Sequence, residues 1–384
     1  MLKTSYTRGI LLTAIFVGVF FQINTFAQTA RQRAEAFKNE GDKEYQKRNY
    51  DTAVAYYVKA IEADKNFPDT YWSLGFALSN LHKHKLAVDS FIIYLDAVKN
   101  EDNIYFVNVL YAIGNQHRLL KDFTRSAEAF DLALRMPPKS TVDLQAASAI
   151  YSYRGNLAQA AAYMQRAIDY SNSDTDEDAG RYISLSWYYS FLQRHQDSVN
   201  AATKAIRIDS ESAMAYTNRC RAYNDLKLYP KAISDCTTAL DLEPNHGETQ
   251  YYLANAYRGQ GKTKLAAEYN KLAIPNLAKE VKAANDRDDI SIADYCYLLG
   301  NALYVEKNYK DAALFYEAGL EFRGNFPFLR YNLGMAYVQL KDKQNAMIQY
   351  EELLLVDKVK AASLKGFVNQ LNVRKPNKPL KKKR

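Results

Sequence analysis

Three fragments of the sequence carry residue types that could bind a ligand or do chemistry. The first, formed by Gly261, Lys262 and Thr263, resembles the end of a phosphate-binding loop. The leading glycine of that motif would fall at Ala256, and the motif needs a preceding β-strand that the helical pattern described below does not provide. We therefore interpret residues 261–263 as a tight turn between two helices.

The second fragment is the pair His82 and His84, which could hold a metal ion weakly. No carboxylate or third histidine stands close to them in the sequence, so we expect two exposed residues at a turn. A nucleophile elbow, an HExxH motif and a paired acid motif are also absent from the sequence. The sequence therefore predicts a noncatalytic protein with no catalytic residues, no cofactor and no metal site.

The third fragment contains Cys220 and Cys236, which are sixteen residues apart and are expected to face each other across a helical hairpin. A disulfide between them is one interpretation. We favour two free thiols in small buried spaces, because a bridge requires a narrow range of Cβ separations that a hairpin need not meet. Cys296 is expected in the core, and the three cysteines are too few and too scattered for a zinc site.

A sequence repeat with a period of 34 residues predicts the secondary-structure elements that carry these residues. The first two repeats match at four places: Gly41, Ala53, Tyr57 and Ala60 correspond to Gly75, Ala87, Phe91 and Tyr94. A fixed period of this length is typical of stacked helical hairpins, which bury their apolar faces only against one another.

Nine repeats can be followed along the chain. They span residues 34–67, 68–101, 107–140, 141–174, 179–212, 213–246, 247–280, 293–326 and 327–360. Insertions 102–106, 175–178 and 281–292 interrupt the register; residues 171–178 are predicted to form a surface loop, and 281–292 to extend the preceding helix. Residues 361–372 are predicted to form a capping helix. We expect the fifth repeat to pack least well, because Ser186 and Ser198 replace small apolar residues.

The repeats resemble the tetratricopeptide repeat family over roughly residues 34–360. The repeat that starts at Ala213 is closest to the family pattern, with Tyr216, Tyr223, Ala232, Ala239 and Pro244 at the places of small, aromatic and stop residues. The resemblance implies an all-α fold: a right-handed superhelical solenoid of about nine tetratricopeptide helical hairpins with a C-terminal capping helix. It also implies a noncatalytic protein-interaction scaffold.

In this family, places two, five, nine and twelve of each first helix line the concave groove, because steps of three and four residues return to one helical face. The candidate partner-binding residues at these places are Trp72, Tyr111, Asn115, Arg118, Tyr251, Asn255, Arg258, Tyr297, Asn301, Tyr304 and Tyr331. Aromatic rings and asparagine amides suit an extended peptide. The competing interpretation is that a chain with 31 tyrosines places some of them on every face by chance.

Family members that bind a C-terminal carboxylate use a lysine at place five and an arginine at place six of neighbouring repeats. In this chain Lys38 is the only lysine at place five of a first helix, and no matching arginine follows. We therefore do not expect the clamp that binds chaperone tails.

The first 27 residues have the pattern of a secretory signal. Lys3 and Arg8 precede an apolar stretch at residues 9–21, and Thr25 to Ala27 provide small residues for cleavage. We expect export to the bacterial periplasm or outer envelope. The alternative is an uncleaved N-terminal membrane anchor.

The formal net charge of +8 is concentrated at the two ends of the chain. Without the signal and the basic tail at residues 373–384, the solenoid at residues 28–372 carries about −1, so a nucleic-acid surface is not expected along the repeats. The tail is predicted to be disordered. An alternative function is therefore an envelope adaptor that docks to anionic lipid, glycan or nucleic acid through this tail. The sequence gives neither the identity of the partner nor the oligomeric state.

Overall fold

A computed structural model gives the fold over residues 29–99, 106–171, 175–286 and 291–371. The predicted signal, the predicted basic tail and residues 102–105 of the first insertion lie outside these ranges. Within them the chain forms nineteen helices and no strand. The predicted all-α solenoid of helical hairpins is thus confirmed.

The helices belong to two compact bodies, which divide at residue 139. The N-terminal body contains α1 (29–46), α2 (Tyr50–Ala63), α3 (Pro68–Asn80), α4 (His84–Val98), α5 (Phe106–Leu119) and α6 (Phe123–Arg135).

The C-terminal body contains the remaining thirteen helices of the described chain. They are α7 (Thr141–Tyr153), α8 (Leu157–Ser171), α9 (Asp176–Phe191), α10 (His195–Ile208), α11 (Ala213–Asp225), α12 (Tyr229–Leu242), α13 (Gly247–Gly259), α14 (Thr263–Asp286), α15 (Ile292–Val305), α16 (Tyr309–Phe322), α17 (Pro327–Leu340), α18 (Lys343–Val356) and α19 (Lys358–Gln370).

A glycine packed against an aromatic ring holds the two helices of several hairpins close together. The contact recurs at a spacing of sixteen residues, in the pairs Gly41 and Tyr57, Gly75 and Phe91, Gly114 and Phe130, and Gly300 and Tyr316. A Cβ atom on these glycines would stand only 2.4–2.6 Å from a ring carbon. The close approach of the helices therefore requires glycine at these four positions.

The fifth repeat packs as closely as its neighbours, so the expectation of poor packing was wrong. Ser186 Oγ donates to the carbonyl oxygen of Ser198 at 2.9 Å, and Ser198 Oγ donates to that of Ser186 at the same distance. Both serines are fully buried. The reciprocal hydrogen bonds satisfy two hydroxyl groups that would otherwise be costly to bury.

The structure contains a disulfide between Cys220 and Cys236, which corrects the favoured interpretation of two free thiols. The Cα atoms of α11 and α12 are 5.4 Å apart at this point, within the range that a bridge requires. Cys296 is a free, buried thiol in α15.

Of the polar stretch predicted to be a loop at residues 171–178, the described residues 171 and 176–178 are helical. Helix α8 continues to Ser171, and Thr175 and Asp178 form a capping box at the start of α9. Asp178 is fully buried and its carboxylate pairs with the Arg181 guanidinium one turn later. The acidic residue therefore stabilises a helix start instead of facing solvent.

The two later predictions about helix ends agree with the observed helices. Helix α14 continues through the third insertion as far as Asp286. The predicted capping helix is α19, in which Leu364 and Val368 are fully buried, whereas Phe367 remains 38% exposed.

Candidate functional site

The first helices of the last five repeats, α9, α11, α13, α15 and α17, lie side by side in the C-terminal body. The side chains on the facing sides of these five helices form one surface, which we call the inner face. Phe191 from α9 reaches across this face to α17 and its preceding turn. The centroid of its ring lies 5.2 Å from that of Phe326 and 5.1 Å from that of Phe328. The inner face is therefore enclosed by aromatic contacts between helices four repeats apart.

One cavity of about 600 Å³ lies on the inner face. Five of the predicted groove residues line it: Tyr251, Asn255, Arg258, Tyr297 and Asn301. A second cavity, of about 350 Å³, shares Tyr251, Tyr297 and Asn301 with the first. The shared walls make the two cavities neighbours along α13 and α15.

The second cavity adds two more predicted residues, Tyr304 and Tyr331, to the site. Val305 and Met335 give it an apolar part. Seven of the eleven predicted residues therefore line two neighbouring cavities of the C-terminal body.

The asparagines of the site use their oxygen atoms within the protein. Asn255 Oδ1 accepts a hydrogen bond from Arg258, and Asn301 Oδ1 accepts from Tyr316 Oη at 2.8 Å and from Asn332 Nδ2 at 2.7 Å. Their amide nitrogen atoms are donors only. The site consequently favours a ligand that is rich in hydrogen-bond acceptors, such as peptide carbonyls or carboxylates.

Burial keeps the hydroxyl groups of three tyrosines of the site protonated. It raises the pKa of Tyr251 and Tyr252, and it raises the pKa of Tyr297 to about 12. These hydroxyls can therefore both donate and accept hydrogen bonds across the physiological pH range.

Several residues that line the larger cavity were not predicted from the sequence, among them Arg221, Asn224 and Phe191. Arg221 and Asn224 occupy places nine and twelve of the repeat that starts at Ala213, so the stripe that identified the other residues also contains them. Phe191 lies outside the stripe, and no local pattern indicates its contact with α17.

The remaining four predicted residues lie in the N-terminal body, on α3 and α5. The Trp72 ring packs against Phe76 at 4.6 Å and against Tyr94 at 5.3 Å. In α5, Tyr111 stacks on Phe130, and Asn115 Oδ1 accepts from Arg118 Nε at 3.0 Å. These distances place Trp72 and Tyr111 against core residues of their own body.

The fragments that resembled catalytic motifs lie at turns. Gly261 has a φ of 76° between α13 and α14, and His82 has a φ of 56° just before α4. His84 Nδ1 lies 2.9 Å from Gln116 Oε1. Across the described ranges, no three His, Cys, Asp or Glu side chains group closely enough to hold a metal ion. None of the described helices has both the length and the apolarity to cross a bilayer.

Comparison with known families agrees with the repeated hairpins. The described chain is an all-α repeat protein, and two family models match it: a TPR repeat at residues 41–81 and a tetratricopeptide repeat at residues 329–359. The chain therefore contains tetratricopeptide repeats.

Two relatives are similar in sequence to this chain over most of its length. The human protein O-mannosyl-transferase TMTC3 is 22% identical over 84% of this chain and 35% of its own length. The wheat (Triticum aestivum) Hsp70-Hsp90 organizing protein is 20% identical over 67% of this chain and 45% of its own length. This chain spans about a third to a half of these relatives.

A solved tetratricopeptide repeat protein from Parabacteroides merdae is 14% identical over 70% of this chain and 98% of its own, with a TM-score of 0.47. YrrB, described as a TPR protein with an unusual peptide-binding site, is 21% identical over 53% of this chain and 97% of its own, with a TM-score of 0.31.

Proposed function

We propose that the chain is a noncatalytic interaction scaffold that binds a peptide segment of a partner protein on the inner face of its C-terminal body. The observation that carries this proposal is the pair of neighbouring cavities that share Tyr251, Tyr297 and Asn301. Cavities of about 300–1,000 Å³ are of the size that binds small ligands, so each can take a few side chains.

The chemistry of the walls supports a peptide ligand. Tyrosine rings provide a large contact area at low entropic cost, and the asparagine and arginine nitrogen atoms offer donors to backbone carbonyl oxygens. The name of the wheat relative also fits this class of function, since an organizing protein for two chaperones is a protein-binding scaffold. No catalytic role is proposed from the transferase named among the relatives, of which this chain spans 35%.

The test is selection of a peptide ligand with the full chain, followed by affinity measurement with variants. Peptides selected from a random phage-displayed library should bind the wild type, and the triple variant Tyr251→Ala, Asn255→Ala, Tyr297→Ala should weaken that binding at least about 10-fold. The control variant, Tyr170→Ala with Asn200→Ala, changes outward side chains of the same body and should bind normally. Equal binding by both variants would reject the inner face as the site.

We also propose that the protein is exported. The disulfide between Cys220 and Cys236 supports this, because such bonds persist in oxidising compartments such as the bacterial periplasm. Mass measurement of the protein from its native host should give an N terminus just after Ala27. An intact N terminus in the membrane fraction would instead favour the membrane anchor.

The adaptor alternative depends on residues 373–384, which lie outside the described ranges. Deleting residues 374–384 should leave peptide affinity unchanged if the inner face is the site. Loss of binding to anionic vesicles at low salt on this deletion would favour the adaptor function.

A further inference from the structure

Arg221 is the feature of the larger cavity that the repeat architecture does not require. It lies on α11 beside Cys220, whose disulfide ties α11 to α12. The carbon at the centre of its guanidinium group lies 4.0 Å from the centroid of the Phe191 ring. The residue is 8% exposed and lines the cavity of about 600 Å³.

Among the residues that the structure describes, no hydrogen bond and no ion pair within 4.0 Å involves the Arg221 guanidinium, whose central carbon lies 4.0 Å from the centroid of the Phe191 ring and 5.7 Å from that of Tyr252. The other buried arginines of this body, Arg181 and Arg323, and the half-buried Arg219 are paired with carboxylates. Arg181 pairs with Asp178, Arg323 Nη1 lies 2.8 Å from Asp294, and Arg219 makes two bonds to Asp235. A buried charge without a partner is costly, so its persistence here points to a ligand that completes it.

Arg221 stays charged in this setting. Burial disfavours its charged form, but its electrostatic interactions with Tyr252, Asp225 and other neighbours outweigh that effect and raise its pKa. A charged, planar group that carries five N–H donors and lies over an aromatic ring therefore lines the cavity.

The charged groups around the cavity leave a net positive charge, which is about +1 with Asp225 ionised; burial raises the pKa of Asp225, although the charges of Arg221 and His195 oppose that shift. The cavity walls carry the cations Arg221 and Arg258 and the anion Asp225, whose Oδ2 lies 3.4 Å from His195 Nδ1. Glu248 lines the adjacent cavity of about 300 Å³, and burial raises its pKa and so favours its neutral form. A single negative charge balances this set better than a phosphate monoester, which carries about −2 at neutral pH.

We propose that Arg221 binds a carboxylate of the captured peptide, so that the inner face selects segments with an acidic group at this point. The inference rests on the proposed peptide-binding function and names the chemistry of that site. The carboxylate accepts two N–H bonds from the guanidinium while Phe191 holds the group flat. This arrangement differs from the lysine and arginine clamp discussed above, because the cation is at place nine of one repeat and is stacked on a ring from another.

The test uses peptides selected from a random phage-displayed library against the full chain, synthesised with acetylated N termini. We expect an acidic residue or a free C terminus to recur among them. Changing that Asp or Glu to its amide, or amidating the C terminus, should weaken binding to the wild type about 10- to 100-fold. Which of the two changes has the effect identifies the source of the carboxylate.

The partner of that carboxylate is tested with Arg221→Gln, checked for folding by circular dichroism. This variant should bind the acidic peptide and its amide equally, whereas the control Lys264→Gln, which removes a positive charge from an exposed place on α14, should still discriminate between them about 10- to 100-fold. If Arg221→Gln does not fold, the comparison of acidic and amide peptides on the wild type still decides the question.

Two results would overturn the inference. In the first, the selected peptides lose affinity for the Tyr251→Ala, Asn255→Ala, Tyr297→Ala variant, but their acid and amide forms bind the wild type equally. This result would refute carboxylate recognition and leave the peptide-binding function intact. A phosphoserine peptide that binds at least about 10-fold more tightly than its glutamate counterpart would refute the match to a single charge. Selected peptides that bind the triple variant as tightly as the wild type would instead refute the proposed function itself.

Discussion

Replacing Gly300 with alanine should destabilise the C-terminal body and disturb the smaller cavity at the same time. A Cβ atom on Gly300 would stand 2.4 Å from Tyr316 Cε1 and 2.6 Å from its Cδ1. The Tyr316 ring is 1% exposed, so it has no free space to enter. To restore an ordinary contact, the ring must move by roughly 1 Å, away from α15.

The magnitude follows from three contributions. Overpacking of this kind costs about 1–3 kcal/mol. Moving the ring also strains the hydrogen bond from Tyr316 Oη to Asn301, which contributes about 1 kcal/mol. Alanine recovers about 1 kcal/mol in helix propensity over glycine. The free energy of unfolding should therefore fall by about 1–3 kcal/mol, which corresponds to a fall of roughly 3–10 °C in the unfolding midpoint of a body of this size.

The assay is thermal unfolding followed by circular dichroism, with Gly180→Ala as the matched control. Gly180 lies inside α9, and a Cβ atom there would meet nothing within 4 Å. The same substitution should therefore raise the midpoint by about 2–4 °C, through helix propensity alone. Opposite signs in the two helices would support the packing argument. A Gly300→Ala midpoint equal to or above that of Gly180→Ala would refute it.

Three further perturbations have expected outcomes. Reduction of the bond between Cys220 and Cys236 should lower the stability of the C-terminal body by about 3 kcal/mol, as a loop of this length predicts; dithiothreitol should lower the midpoint of the wild type, but not of the double serine variant. Burial raises the pKa of Glu280 to about 6, so folding favours the protonated carboxyl group, and its contribution to stability is lost as pH rises from about 4.5 through 6. In thermal melts at successive pH values, Glu280→Gln should reduce the dependence of the unfolding midpoint on pH in this range. An unchanged dependence would count against the assignment. Ser186→Ala alone should cost about 1 kcal/mol. The Oγ atoms of Ser186 and Ser198 also lie 2.9 Å apart, and either single change removes that shared bond; the double change should therefore cost less than the sum of the two single changes in a double-mutant cycle, and strict additivity would contradict a bond between the two hydroxyl groups.

The repeated hairpin architecture was predictable because its determinants are local and periodic. Small and aromatic residues recur every 34 positions, and the pairing of Gly300 with Tyr316 at a spacing of sixteen residues fixes how the two helices of a hairpin approach. The seven predicted residues that line the two cavities follow from the same period. Arg221 stands on that stripe too and was predictable in principle.

The features that the sequence did not predict depend on distances between elements. Whether Cys220 reaches Cys236, or Ser186 bonds with Ser198, is decided by the separation of facing helices, which composition does not reveal. The contact of Phe191 with Phe328 depends on curvature that accumulates over four repeats. No window of one or two periods contains that information.

That aromatic contact has a consequence for how the C-terminal body unfolds. In an open array of repeats each member contacts only its neighbours, so the array frays from its ends and unfolds in steps. Here Phe191 joins α9 to α17 and the turn before it, and the described turn between α7 and α8 is also closed against Asn325, whose carbonyl oxygen would lie 2.6 Å from a Cβ on Gly155. Separating one repeat from the others therefore also breaks contacts with a distant one. The last repeats should consequently unfold together in a single cooperative transition, and hydrogen exchange should give α9 and α17 similar opening free energies.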